Sequence, residues 1–120
     1  MAKFGTNMKM TVSQDLREQT RAVFEGVLGC QRVSPNDTID LFAFEDGASI
    51  AVDYVESGAT LTPEQHRAMG TWIEIEVDDN DKAKTALGAC EGLTSFEFVT
   101  EHAYFQLPGG QVFRLKEPGA

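Results

Sequence analysis

The chain has 120 residues, 42% of them apolar, with 19 Asp and Glu against 10 Lys and Arg, for a formal charge of −9. That length supports one ordinary hydrophobic core and not two independent ones, so a single domain over residues 1–120 is expected. The acidic residues are spread along the chain, which argues against nucleic acid or an anionic membrane surface as the main partner, because phosphate binding needs a basic patch. A cationic or polar small molecule fits better, and the acidity also serves solubility.

The opening "MAKFGTNMKM" lacks the apolar stretch of a signal peptide. No apolar run approaches the ~20 residues of a membrane span, so a cytoplasmic protein is expected. Then "NMKMTV" alternates, placing Met8, Met10 and Val12 on one face of a strand and Asn7, Lys9 and Thr11 on the other. A helix follows. Asp15 with Glu18 has the form of a capping box, and Leu16, Thr20, Val23, Phe24, Val27 and Leu28 recur at helical spacing up to Gly29, a C-terminal stop. Three strands come next, "CQRVS", "TIDLFAFED" and "SIAVDYV", with a tight turn at Asp46 and Gly47 between the last two.

In "LTPEQHRAMG", Thr62, Pro63 and Gln65 supply an N-cap, a first-turn proline and a capping-box partner, which predicts a short linking helix. The stretch "WIEIEVDD" alternates again, with Trp72, Glu74 and Glu76 on one face and Ile73, Ile75 and Val77 on the other. Asp79 caps a second helix that puts Ala83, Leu87 and Cys90 on one stripe and stops at Gly92. "TSFEFV", "AYFQLP" and "QVFRLKE" predict three more strands, turning at Gly109 and Gly110. The order is βαβββ, twice, and three landmarks keep step: Val12 to Val77 is 65 residues, and Gly47 to Gly110 and Gly29 to Gly92 are 63 each. A shared offset is the signature of an internal repeat. Module one spans about residues 6–56, the linking helix about 57–70 and module two about 71–117.

Three stretches in this order, "FEGVLGC", "WIEIEVDD" and "LPGGQVFRL", resemble landmarks of the vicinal oxygen chelate (VOC) superfamily, which includes glyoxalase I, bleomycin-resistance proteins, extradiol dioxygenases and fosfomycin-resistance enzymes. The resemblance covers residues 7–117 and implies an α+β fold in which two tandem βαβββ modules form a curled, cup-shaped mixed sheet with helices outside. It also implies a homodimer. In such proteins four cup-facing positions commonly hold a divalent metal through His, Glu or Gln. The matching positions here are Asn7, Trp72, Arg114 and either Ala51 or Asp53, and the family's Asp-Pro turn is Leu107-Pro108. An indole N–H offers no lone pair and a guanidinium is a permanent cation. A catalytic metal usually needs three protein ligands, so no metal and no other cofactor is expected.

On that alignment Trp72, Glu74, Glu76, Asn7, Lys9, Thr11, Asp53 and Arg114 face the cup, with Tyr104 or Phe105 beside Trp72 as an aromatic wall. Arg114 could anchor a carboxylate, and the acidic groups could hold a cation. His66 and His102 lie at no matched position, there is no GxSxG, and Cys30 and Cys90 form neither a CxxC nor a zinc spacing. Three readings follow: a metal-free small-molecule-binding protein of the bleomycin-resistance kind; a glyoxalase-like lyase, isomerase or dioxygenase with a divergent metal site, or one using Glu74 or Glu76 as general base; and a non-catalytic interaction module whose cup is closed.

Overall fold

Strand β1 (Asn7–Ser13) buries Met10 and Val12 and exposes Lys9 and Thr11, the two-residue period its sequence dictates. In a computed structural model that describes residues 1–96 and 103–118, β1 pairs in parallel with β4 (Ser49–Val55), from Asn7 opposite Ser49 to Ser13 opposite Val55. β3 (Ile39–Ala43) lies antiparallel to β4, and β2 (Gln31–Asn36) forms the far edge, giving the order β1-β4-β3-β2. The β2–β3 register slips between Val33 and Asn36. Pro35 sits in that interval and has no N–H to give the ladder.

The second module repeats the plan. β5 (Trp72–Glu76) pairs in parallel with β8 (Val112–Lys116), then come β7 (Ala103–Gln106) and β6 (Thr94–Phe96), in the order β5-β8-β7-β6. β1 and β5 start 65 residues apart, and β4 and β8 start 63 apart, so the offsets read from the landmarks are those of the strands. The predicted strand continuation at residues 97–99 and His102 lie outside the described residues. Among the described residues no strand pair joins the two sheets. The α+β fold of paired βαβββ modules therefore stands, but with two separate four-stranded sheets in place of one curled, cup-shaped sheet.

The helices differ from expectation in detail. Helix α1 (Arg17–Arg21) is led by a 3₁₀ turn, Gln14–Leu16, and runs on into a π-helical turn, Ala22–Val27. The Asp15–Glu18 capping box does not form. Ser13 is the flanking residue, no side chain caps the end, and Asp15 accepts a hydrogen bond from the Ser57 hydroxyl instead. The capping box at Thr62 does form, opening α2 (Pro63–Met69) with Gln65 as its partner. Asp79 caps α3 (Asn80–Gly88) by accepting from the Lys82 N–H at 3.0 Å. That helix ends at Gly88, four residues before the stop expected at Gly92, which turns with φ +80° beyond it.

One apolar cluster draws on both modules. Phe24, from the π-helical turn, stacks on Phe42 at 4.6 Å between centroids and meets Phe113 of β8 edge-on at 6.2 Å. Phe113 in turn stacks on Phe105 at 5.6 Å. Beneath β3 the carboxylate of Asp40, 1% exposed, accepts from Arg21 Nε (2.8 Å) and Nη2 (3.1 Å), the Ser34 hydroxyl (2.7 Å) and the Tyr54 hydroxyl (2.8 Å). Burial alone would raise the Asp40 pKa, but the hydrogen bonds outweigh it and hold the group at about 2. These bonds pin α1 to the first sheet.

The hairpin between β7 and β8 fastens the linking helix. Gly109 and Gly110 turn with φ +98° and +102°, and Gln106 Nε2 donates to Pro63 O (3.0 Å) and Gly110 O (2.8 Å). His66 lies so close above Gly110 that a Cβ there would meet its ring at 2.6 Å. The glycine pair is thus a hairpin turn that also seats α2.

Candidate functional site

Alternation on β5 and β8 carries Trp72, Glu74 and Arg114 to the outward side of the second sheet, opposite the buried Ile75, Phe113 and Leu115. The register sets Glu74 level with Arg114, and the guanidinium donates to Glu74 through Nε (3.1 Å) and Nη2. Its Cζ lies 4.1 Å from the Trp72 ring centroid. Glu74 first, and the Tyr104 hydroxyl as well, raise the Arg114 pKa further above its ordinary value. Tyr104 is buried and meets Trp72 edge-on at 6.1 Å, while Trp72 keeps 40% of its surface in solvent. The aromatic wall is therefore Trp72 with Tyr104. Phe105, the other candidate, points inward onto Phe113. Arg114, expected from sequence as an anchor for a carboxylate, is engaged by Glu74 and Trp72.

On the first sheet Lys9 and Asp53 form an ion pair at 3.6 Å across β1 and β4, and Asn7 accepts a hydrogen bond from the Ser49 hydroxyl at 2.8 Å. Ala51 lies opposite Lys9 and Asp53 opposite Thr11. The four positions matched to family metal ligands thus hold an amide already bonded, an indole, a guanidinium paired with a carboxylate, and either a methyl or a carboxylate paired with Lys9. This donor set does not fit a divalent cation. Among the described residues no group of three or more His, Cys, Asp or Glu side chains is placed to hold one.

Three expected site residues, Asn7, Glu74 and Glu76, border a cavity of about 820 Å³ between the modules. β1 and β5 are each an edge strand of their sheet, paired on one side only among the described residues, and both border this space. Residues from both faces of β5, Ile73 through Glu76, line it, so the strand presents its free edge. Met8, Leu28, Phe44, Ile50, Ile73 and Ile75 supply apolar surface. Five acidic residues, Glu45, Asp46, Glu74, Glu76 and Asp78, border it, the Glu74 carboxylate being bonded to Arg114, and no Lys or Arg is among the described lining residues. Glu45, Glu76 and Asp78 enter none of the ion pairs among the described residues. Lys9, Asp53, Trp72, Tyr104 and Arg114 lie outside the lining. Sequence reasoning missed Glu45, Asp46 and Asp78; their signal is that carboxylates follow β3 and β5 directly, where the strands end.

No protein-family model and no curated protein matches the chain. Solved structures do. The fosfomycin resistance protein FosX from Mesorhizobium loti is 21% identical with a TM-score of 0.68, over 96% of this chain and 92% of that one. A glyoxalase/bleomycin resistance protein from Albidiferax ferrireducens is 14% identical with a TM-score of 0.69, over 94% and 97%. FosX from Listeria monocytogenes, complexed with Mn(II) and sulfate ion, is 14% identical with a TM-score of 0.74, over 98% and 91%. At such identities the likeness is one of fold, and one fold hosts many activities. The chain therefore carries the fold of the glyoxalase, bleomycin-resistance and FosX proteins of the VOC superfamily, the resemblance its sequence motifs showed.

Proposed function

We propose that this chain is a metal-free small-molecule-binding protein of the bleomycin-resistance kind, and that it takes an amphipathic organic cation into the cavity between β1 and β5. The observation that carries the reading is the lining: apolar side chains from both modules, five acidic residues of which Glu45, Glu76 and Asp78 enter no ion pair among the described residues, and no basic residue among those described. Such a surface attracts a cation over its whole rim while the floor accepts an apolar body. An anion beside Mn(II), as in the Listeria neighbour, would meet repulsion here, and the positions matched to metal ligands offer the wrong donors. A working homodimer belongs to the same reading, since the exposed Val33, Leu41 and Trp72 suit a second subunit.

Native mass spectrometry of protein purified without chelators or nickel columns tests the reading directly. A retained organic cation, with transition metal below about one-tenth equivalent, is the expected result. Calorimetry with a panel of aromatic cations and aromatic carboxylates follows, and Glu76→Gln with Asp78→Asn should weaken the cations alone. Metal near one equivalent that disappears in Asp53→Ala or Glu74→Ala would favour the divergent metalloenzyme instead. No response to any compound, in emission or in melting temperature, would favour the interaction module.

A further inference from the structure

The segment that precedes β1 passes the mouth of the acidic cavity: Phe4, Gly5 and Thr6 are among the residues that line it. Thr6 is the anchor, because its carbonyl accepts the Ser49 N–H at 2.9 Å. Immediately before it Gly5 has no heavy atom within 4 Å of where a Cβ would stand, so the chain can swivel there. Phe4 is 105% exposed, its ring in solvent beside an apolar space. Lys3 is the one charged side chain in residues 1–5 and joins none of the ion pairs among the described residues.

We infer that residues 1–5 are a lid for this cavity, with the Phe4 ring closing onto Ile73 and Leu28 and Lys3 meeting the carboxylates of Glu76 and Asp78. Phe4 and Lys3 together are an apolar group next to a cation, the chemistry the lining selects. Reach permits it. Two residues beyond Thr6 extend about 7 Å, more than half the roughly 12 Å width of a sphere of the cavity's volume, and the phenyl ring adds to that. The position described here is the open one. The lid competes with a ligand for the same surface, so it sets a threshold that a ligand must exceed.

The test begins without any ligand. In isotope-labelled full-length protein at low ionic strength, nuclear Overhauser contacts are expected from the Phe4 ring to the Ile73 and Leu28 methyl groups. They should persist in Lys3→Arg and fade in Lys3→Glu, and fade also at about 0.5 M salt, where exposed charges are screened. Thioflavin T, a planar aromatic cation, should bind Phe4→Ala at least about threefold more tightly than the native chain. Absence of every ring-to-cavity contact, with order parameters of residues 2–5 below about 0.6, overturns the lid. A dye that binds neither form overturns the proposed cation site alone, and the ring contacts then decide the lid by themselves.

Discussion

Asp40 offers the sharpest energetic test because its surroundings fix both the sign and the size of the effect. Its carboxylate is 1% exposed and held by four hydrogen bonds from Arg21, Ser34 and Tyr54. Asp40→Asn keeps the shape but removes the charge and turns an amide N–H₂ toward a guanidinium that can only donate. Breaking a buried pair costs about 3–5 kcal/mol, and Arg21, with 21% of its side chain exposed, can rehydrate in part, which points to about 3 kcal/mol. Linkage gives an independent figure. A pKa of about 2 against the ordinary 3.8 corresponds to roughly 2–3 kcal/mol at neutral pH. The folded pKa is depressed, so the unfolded chain binds the proton first as pH falls. The stabilisation is therefore full above about pH 5 and lost progressively down to about pH 2. Urea unfolding followed by Trp72 emission should show the midpoint falling by about 2 M if the slope is about 1.5 kcal/mol/M. Tyr54→Phe, which removes one bond to a charged acceptor, should cost about 1.5–3 kcal/mol. A midpoint for Asp40→Asn within about 0.3 M of the native protein, or an equal loss of stability between pH 5 and 2 in both, would refute the reasoning.

Other measurements reach other parts of the molecule. Gly110→Ala should cost at least about 2 kcal/mol in thermal or urea unfolding, because φ is +102° and the new Cβ would stand 2.6 Å from the His66 ring and 3.2 Å from Pro63 Cα. Cys30 is buried, and burial pushes its thiol up to about 12, so iodoacetamide at pH 8 should modify it only after unfolding, as mass spectrometry would show. Arg114→Ala releases Glu74 and should tighten an aromatic cation by roughly two- to fivefold in calorimetry, the scale of one exposed charge pair; weaker binding would place the cation elsewhere. Light scattering at tens of micromolar should give the mass of a dimer, twice 13.2 kDa, and a monomer would remove the second subunit from the proposal.

The repeat was legible because each of its signals is local. Alternation in "NMKMTV" and "WIEIEVDD", the capping box at Thr62 and the glycine turns at Gly47 and Gly110 each follow from backbone geometry within a few residues. Asp15 shows the limit of that reasoning. Its spacing to Glu18 suits a cap, but Ser57, 42 residues away, takes the carboxylate. Asp40 was legible in principle, as a charge on the inward face beside Phe42, although its partners Arg21 and Tyr54 come from two other elements. The cavity was not legible at all. It depends on how two sheets meet: the β1–β4 pairing brings the Glu45–Asp46 turn beside Asn7, but Asp78 joins them only through that packing.

Each module joins its first strand to its last through an ion pair, and the two pairs have opposite polarity. Lys9 on β1 pairs with Asp53 on β4, whereas Glu74 on β5, 65 residues after Lys9, pairs with Arg114 on β8. Each pair ties the first strand of its module to the last, the one parallel pairing in each sheet. Of the positions matched to family metal ligands, Arg114 and Asp53 are thus each neutralised by an opposite charge on the neighbouring strand of their own sheet. Each exposed pair contributes little net field of its own. The carboxylates of Glu45, Glu76 and Asp78, outside every such pair among the described residues, lie at the cavity between β1 and β5. On the proposed reading, recognition therefore falls at the free edges of β1 and β5 and not at the positions matched to family metal ligands.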